Sequence, residues 1–182
     1  MGENIVFIQG KRIDLLVKKI ENIKIYHKWV NNPIVRKYLS VEIPLSLEEI
    51  KKEWFPDYKD DKNIWFEIWH KLDQIPIGMI GLFKINYVYR TAEIGIFIGE
   101  TNYWKKQFGT EAVSMIIDYA FNTLNIRKFV VAVNETNIQS LKMFEKIGFV
   151  EEGHLKDMEF INGKSTALKW LGMLKKDKDD LI

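Results

Sequence analysis

Between residues 63 and 100 the chain sets three segments in a row, NIWFEIWH, IPIGMIGLFKI and RTAEIGIFIGE, dense in Ile, Phe and Trp and joined by short polar turns. Aromatic and β-branched runs bounded by turn residues read as strands, and connections this short join antiparallel neighbours. The period then changes. From Phe108 to Leu124, the residues Val113, Ile116, Ile117, Ala120, Phe121 and Leu124 fall on one face of a helix. KFVVAV follows as a buried strand, and a second helix opens at Asn137 and closes at Gly148, a position that favours a left-handed residue. A meander running into a β-α-β crossover restricts the chain to a mixed sheet with helices on both faces.

The flanks extend this order. Residues 5–17, IVFIQGKRIDLLV, alternate as a hairpin-like or bent first strand, and NIKIYHKWVNN reads as a short amphipathic helix stopped by Asn-Asn-Pro. Ser46 has the N-cap position of LEEIKKEW, with Glu49 at capping-box spacing, and Pro56 ends that helix. DYKDDK is a charged, solvated connection. Asn162-Gly163 marks a two-residue hairpin between the last two strands. The order β, α, α, β, β, β, α, β, α, β, β gives seven strands in one domain over residues 1–182, of which 175–182 form a polar tail.

Composition narrows the function. A hydrophobic content of 47% supports a sizeable core, and a net charge of +2 with interspersed signs does not mark a nucleic-acid binder. The absence of cysteine excludes disulfides, thiolate zinc sites and cysteine nucleophiles. His27, His70 and His154 are scattered without metal-ligand spacing, so no metal is expected. The start, MGENIVFIQGKR, lacks a secretion signal's apolar core, and no apolar run approaches the roughly 18 residues of a membrane span. The expectation is a soluble cytoplasmic domain, with no membrane or nucleic-acid partner.

NYWKKQFGTEAV, residues 102–113, joins the third strand to the long helix. A helix N-terminus presents unpaired N–H groups and a partial positive charge, which suit phosphate, and Lys105 and Lys106 would add cationic donors. The same residues also read as an exposed Lys-Lys turn with Thr110 merely starting the helix. Neither a Walker loop nor a Rossmann fingerprint is present.

AEIG on the strand, YW…GTEA at the helix start and N-x-x-S…EKIGF downstream, taken in this order, resemble the GNAT superfamily of acetyl-CoA-dependent N-acetyltransferases. WVNNPIVR, NYVYRTAEIG and EFINGK are similar to the branch that holds ribosomal-protein N-terminal acetyltransferases and spermidine acetyltransferases. The resemblance spans roughly residues 5–174. It implies an α/β (α+β) GNAT fold, a mixed and mostly antiparallel seven-stranded sheet, and acetyl transfer from acetyl-CoA directly to a primary amine.

By this resemblance the backbones of Phe97, Ile98 and Gly99 hold the pantetheine arm, and the loop Trp104, Lys105, Lys106, Gln107, Phe108, Gly109 with Thr110 holds the pyrophosphate. Gln107 replaces the first glycine of the family pattern, Gly109 keeps the second, and Lys105 stands where relatives usually have glycine. If either substituted position requires φ > 0, the non-glycine residue costs about 1–2 kcal/mol. Glu93, a carboxylate inside an apolar strand, is expensive unless partnered or functional; the resemblance makes it the general base, while a structural hydrogen bond remains the alternative. Phe144 stands where many relatives have a proton-donating tyrosine. Some ribosomal-type members look instead to a serine, here Ser140, in the N-x-x-S element, and the resemblance also makes Asn137 and Ser140 cofactor-binding residues; both serve routinely as helix caps as well.

Trp29, Trp54, Trp65, Trp69, Trp104 and Trp170 read as core or as substrate-cleft walls. Glu42, Glu48 and Glu49 could attract a polyamine; a protein N-terminus or another small amine is equally open, and a homodimer is possible. The altered loop and Phe144 also suit a second reading, a degenerate relative that binds coenzyme A or a partner without turnover.

Overall fold

The computed structural model describes residues 4–39, 41–56 and 60–175. Its strands are β1 (Val6–Gln9), β2 (Ile13–Val17), β3 (Ile64–His70), β4 (Ile75–Asn86), β5 (Thr91–Ile98), β6 (Lys128–Asn134), β7 (Val150–Ile161) and β8 (Lys164–Leu174). The helices are α1 (Ile23–Asn31), α2 (Leu47–Trp54), α3 (Phe108–Asn122) and α4 (Ile138–Ile147). The sheet order is β1-β2-β3-β4-β5-β6-β8-β7. β5 and β6 pair in parallel, and the other neighbouring pairs are antiparallel. The expected polar tail lies, apart from Lys175, outside the described residues, as do residues 57–59 of the charged loop.

The sheet has eight strands and not seven, because the first segment, expected as a hairpin-like or bent single strand, is an antiparallel pair joined by a turn at Gly10–Arg12. A Cβ on Gly10 would collide with the Ile13 carbonyl and the Met115 side chain, so the reversal requires glycine. Glu111, in the first turn of α3, then fastens the turn. Its Oε1 accepts the backbone N–H groups of Lys11 (3.1 Å), Arg12 (2.7 Å) and Ile13 (3.4 Å), and its Oε2 accepts Arg12 Nε (2.8 Å). Burial alone would raise the Glu111 pKa, but the backbone and side-chain hydrogen bonds from Arg12 outweigh it and hold the carboxyl below its ordinary value.

Local chemistry sets the remaining boundaries as expected. Ser46 and Glu49 form the reciprocal capping box at the start of α2. Asn162 and Gly163 both take positive φ, 51° and 76°, as a two-residue turn between right-twisted strands requires. Gly148 ends α4 at φ 110°.

α3 and α4 cover one face of the sheet, with Ile116, Ile117, Phe121, Leu141 and Phe144 packed against strand residues such as Phe129 and Leu171. α1 and α2 cover the other face over β3–β5, where Trp29, Tyr26 and Ile50 pack on Met79 and Phe97. Beneath α1 lies a fully buried carboxylate, Glu67, at 0% exposure. It accepts the Tyr26 hydroxyl, Asn22 Nδ2 (2.7 Å) and the Lys19 amide (3.3 Å), so α1 is bonded to β3 as well as packed on it. Burial first, and then the charge of Glu67, push the Tyr26 pKa far above its ordinary value, so the hydroxyl stays a donor.

Two outcomes follow for stability. Tyr26→Phe keeps the ring but removes a donor to a buried charge, and should lower unfolding free energy by about 1.5–3 kcal/mol in urea titration. A carboxylate held below its ordinary value of 4.5 contributes stability that is complete above that pH and is lost as pH falls through the folded value. The stability difference between wild type and Glu111→Gln should therefore be largest at neutral pH and shrink on acidification below about 4.5.

Candidate active site

β5 and β6 are parallel neighbours only through Thr91↔Lys128, Ala92↔Phe129 and Glu93↔Val130. Beyond these pairs β5 stays with β4 as far as Ile98↔Gly78, and β6 stays with β8 as far as Asn134↔Leu168. The two strands thus leave a wedge between them, with Glu93 at its apex. Backbone groups of a strand point alternately to its two sides. Gly99 donates its N–H to Ile77 O on the β4 side (2.8 Å), whereas Ile98 turns its carbonyl the other way and accepts Trp104 Nε1 (2.8 Å). Of the three expected pantetheine residues, Ile98 therefore aims its backbone at the wedge, and by the same alternation Ile96 joins it. The Phe97 carbonyl faces Gly78 of β4, and its ring meets the Trp29 ring edge-on at 6.1 Å. Glycine at 99 is demanded by packing, since a Cβ there would lie inside the Trp29 indole.

The loop at the wide end has the geometry on which its energy depends. Lys105 and Gln107 both take left-handed φ, 61° and 65°. Gln107 is the N-cap residue of α3 and supplies no side-chain cap, which leaves the first amides of the helix facing outward. Left-handed Gln107 followed by helical Phe108 aligns successive N–H groups into a concavity suited to an anion. Lys105 and Lys106 are exposed beside it. The Phe108 side chain is buried against His70 (4.9 Å) and Tyr103 (5.9 Å), so this residue offers the site only its amide. A Cβ on Gly109 would sit 3.2 Å from Met143 of α4 and 3.7 Å from Ile96, which brings the α3 start, α4 and the wedge wall together. Thr110 is half-buried in the same turn.

Glu93 lies on the sheet face covered by α1 and α2, with Lys84 Nζ 3.0 Å from its Oε1. Asn137 caps α4 by accepting the Ser140 amide at 3.2 Å. The Ser140 hydroxyl makes no hydrogen bond among the described residues, and the helical period puts it one turn before Met143, toward α3 and the wedge. Phe144 is 1% exposed and packs on Phe149 at 5.1 Å; it belongs to the core. Glu49, one of the three acids that could attract a polyamine, is occupied by the Ser46 cap.

Several contacts at the site carried no local sequence signal. Asn134, at the end of β6, donates to Glu159 Oε2 (2.6 Å) and Thr166 Oγ1 (2.7 Å), fixing the final hairpin beside the wedge. Tyr38, between α1 and α2, donates to Thr136 O (3.2 Å) and spans the opening on that face. Glu100 accepts Trp29 Nε1 (2.8 Å) and Lys28 Nζ (3.1 Å); burial opposes its ionisation, but these donors prevail and keep its pKa low. Arg12 donates Nη1 to Lys106 O at 3.0 Å, 94 residues away in sequence. Among the described residues no group of three His, Asp or Glu could hold a metal, and no helix is long and apolar enough to cross a membrane.

Comparison with known proteins agrees with this fold. Residues 15–150 match the acetyltransferase (GNAT) domain family. The spermidine N(1)-acetyltransferase of Vibrio cholerae is 29% identical over 153 residues, 84% of this chain and 87% of that protein. A putative ribosomal N-acetyltransferase of Bacillus subtilis is 32% identical over 130 residues, 71% of this chain and 69% of its own. The crystal structure of the Vibrio cholerae enzyme with CoA and spermine superposes with a TM-score of 0.84 at 28% identity, covering 92% of this chain and 98% of that one. A dodecameric structure of that enzyme superposes with a TM-score of 0.79 at 28% identity, covering 91% and 95%. None of these relatives supports a coenzyme A binder without turnover. The chain belongs to the acetyltransferase (GNAT) domain family, and it is an N-acetyltransferase that takes its acetyl group from acetyl-CoA.

Proposed function

We propose that the wedge between β5 and β6 holds the pantetheine arm of acetyl-CoA, that the loop from Trp104 to Thr110 holds its pyrophosphate, and that the acceptor is a polyamine. The observation that carries the first two assignments is the parallel pairing that stops at Glu93, beside an α3 N-terminus without a side-chain cap. Acetyl-CoA supplies the acetyl group as a thioester. The backbone N–H groups of Ile96 and Ile98 line the wedge as donors for the arm and its carbonyl. Glu93 takes the proton that the amine nitrogen sheds as it bonds to the acetyl carbon. Ser140 offers a hydrogen bond to the sulfur as the carbon–sulfur bond breaks, and the thiolate then takes a proton from solvent.

A polycationic acceptor suits the charges on the α1–α2 side. Glu93 and Glu100 are paired there with Lys84 and Lys28, whose side chains are 73% and 65% exposed. Exposed pairs are worth little, so an amine entering the groove can displace such lysines. Glu159 has no cationic partner among the described residues. The similarity to spermidine acetyltransferases supports the same choice, and the similarity to an enzyme solved as a dodecamer supports self-association, a homodimer at least.

Acetylation assays should give spermidine a kcat/KM at least about tenfold above that of a short peptide N-terminus; the reverse order would redirect the acceptor assignment to protein N-termini. Glu93→Gln should lower kcat/KM by about 10²–10⁴-fold while acetyl-CoA affinity, read by calorimetry, is unchanged. Phe144→Tyr should leave turnover no faster and should lower stability by about 1–3 kcal/mol, because it buries a hydroxyl in the core and not beside the thioester.

A further inference from the structure

Two strained residues flank a single restrained carbonyl. Lys105 and Gln107 hold φ of 61° and 65° without being glycine, and Lys106 lies between them. The Lys106 carbonyl accepts Arg12 Nη1 at 3.0 Å. The same guanidinium donates Nε to Glu111 Oε2 at 2.8 Å and lies 4.7 Å over the Phe108 ring. Arg12 thus touches the residues on either side of the left-handed Gln107, Lys106 and Phe108, and its own backbone is tied to α3 through Glu111 Oε1.

A trans peptide points its C=O and its N–H in opposite directions. Drawing the Lys106 carbonyl toward Arg12 therefore turns the Gln107 N–H away from Arg12. Released from that bond, a lysine and a glutamine would relax toward negative φ, since left-handed backbone is unfavourable for both. The planar guanidinium holds the carbonyl on Nη1 and the Glu111 carboxylate on Nε in one fixed fork, whereas an ammonium carries its three donors on a single rotatable nitrogen and sets no such spacing.

We propose that Arg12, on the turn between β1 and β2, is a positioning residue for cofactor binding: it locks the Lys105–Gln107 backbone in its left-handed form and so keeps the loop amides aimed at the pyrophosphate. This rests on the assignment of that loop to the pyrophosphate. It also accounts for a loop with Lys105 and Gln107 in place of glycine remaining usable: the conformation that glycine would adopt freely is imposed by a residue 94 positions from Lys106.

The test is acetyl-CoA titration by calorimetry on four proteins: wild type, Arg12→Met, the double variant Lys105→Gly/Gln107→Gly, and the combination of all three changes. Methionine keeps apolar cover over Phe108 and removes both hydrogen bonds. In the wild-type loop, Arg12→Met should weaken acetyl-CoA binding by about tenfold or more, the scale of one released left-handed residue. The KM for acetyl-CoA should rise by a similar factor while the KM for the amine stays where it was. In the glycine background the same substitution should matter by no more than about threefold. An equal loss in both backgrounds, or a rise in both KM values together, would show Arg12 to be merely structural and overturn the proposal. If Arg12→Met does not fold, Arg12→Lys, which keeps the charge and loses the fork, should show the same dependence on background. Failure of the wild type to bind acetyl-CoA would overturn the pyrophosphate assignment itself, and this proposal with it.

Discussion

Three residue pairs join β5 to β6, and then the parallel ladder stops. On one side of that break stands a wall of strands fixed by the antiparallel meander, and on the other the β6-β8-β7 unit fixed by the final hairpin. Unpaired strand edges inside a domain are costly unless something bonds to them. The wedge leaves the backbone of Ile96 and Ile98 in that condition, with one carbonyl already taken by Trp104. On the proposed assignment, an arm rich in amides, such as pantetheine, would supply the missing partners. The other parts of the site are placed by reference to this gap: Glu93 at its apex, the α3 N-terminus and its loop at its wide end, and α4 with Ser140 along one wall.

Keeping such a gap open requires rigid supports on both faces. On the α1–α2 side, Trp29 packs into the space above Gly99 and bonds to Glu100, while Glu67 and Tyr26 fasten α1 to β3. On the α3–α4 side, Gly109 allows α3, α4 and Ile96 to approach within contact. The loop itself is held from beneath: Phe108 and Tyr103 rest on His70, and Tyr103 donates its hydroxyl to Asp73. The strain in the loop is local, and the groups that sustain it come from β1–β2, β3–β4 and α3.

What the sequence made legible divides along the range of the interactions. The capping box at Ser46 and Glu49, the Asn162-Gly163 turn and the Gly148 terminus are written in residues a few positions apart, and each stands where the local chemistry puts it. The split of the first strand was less legible, because the turn at Gly10–Arg12 is fastened by Glu111, about a hundred positions away. GTEA was readable as a helix start, yet nothing near Glu111 shows that its carboxylate is occupied by a distant turn. The same limit hid Arg12, Glu67 and Asn134, whose partners are all remote. The loop was a middle case: its departure from glycine was plain in the residues, but only the backbone shows that both altered positions are left-handed. Phe144 was legible as a missing hydroxyl, and the structure places its ring in the core beside Phe149.

The proposed site is defined by the backbone amides that meet the cofactor, and hydrogen exchange reads those amides directly. Exchange measured by mass spectrometry with fragments resolving residues 94–112, with and without saturating acetyl-CoA, would report on the wedge and the loop together. The account predicts new protection at Ile96 and Ile98 and across Gln107–Thr110, with the already bonded Gly99 amide unchanged. Saturation with acetyl-CoA without added protection at these positions, or with protection confined to other elements, would contradict it.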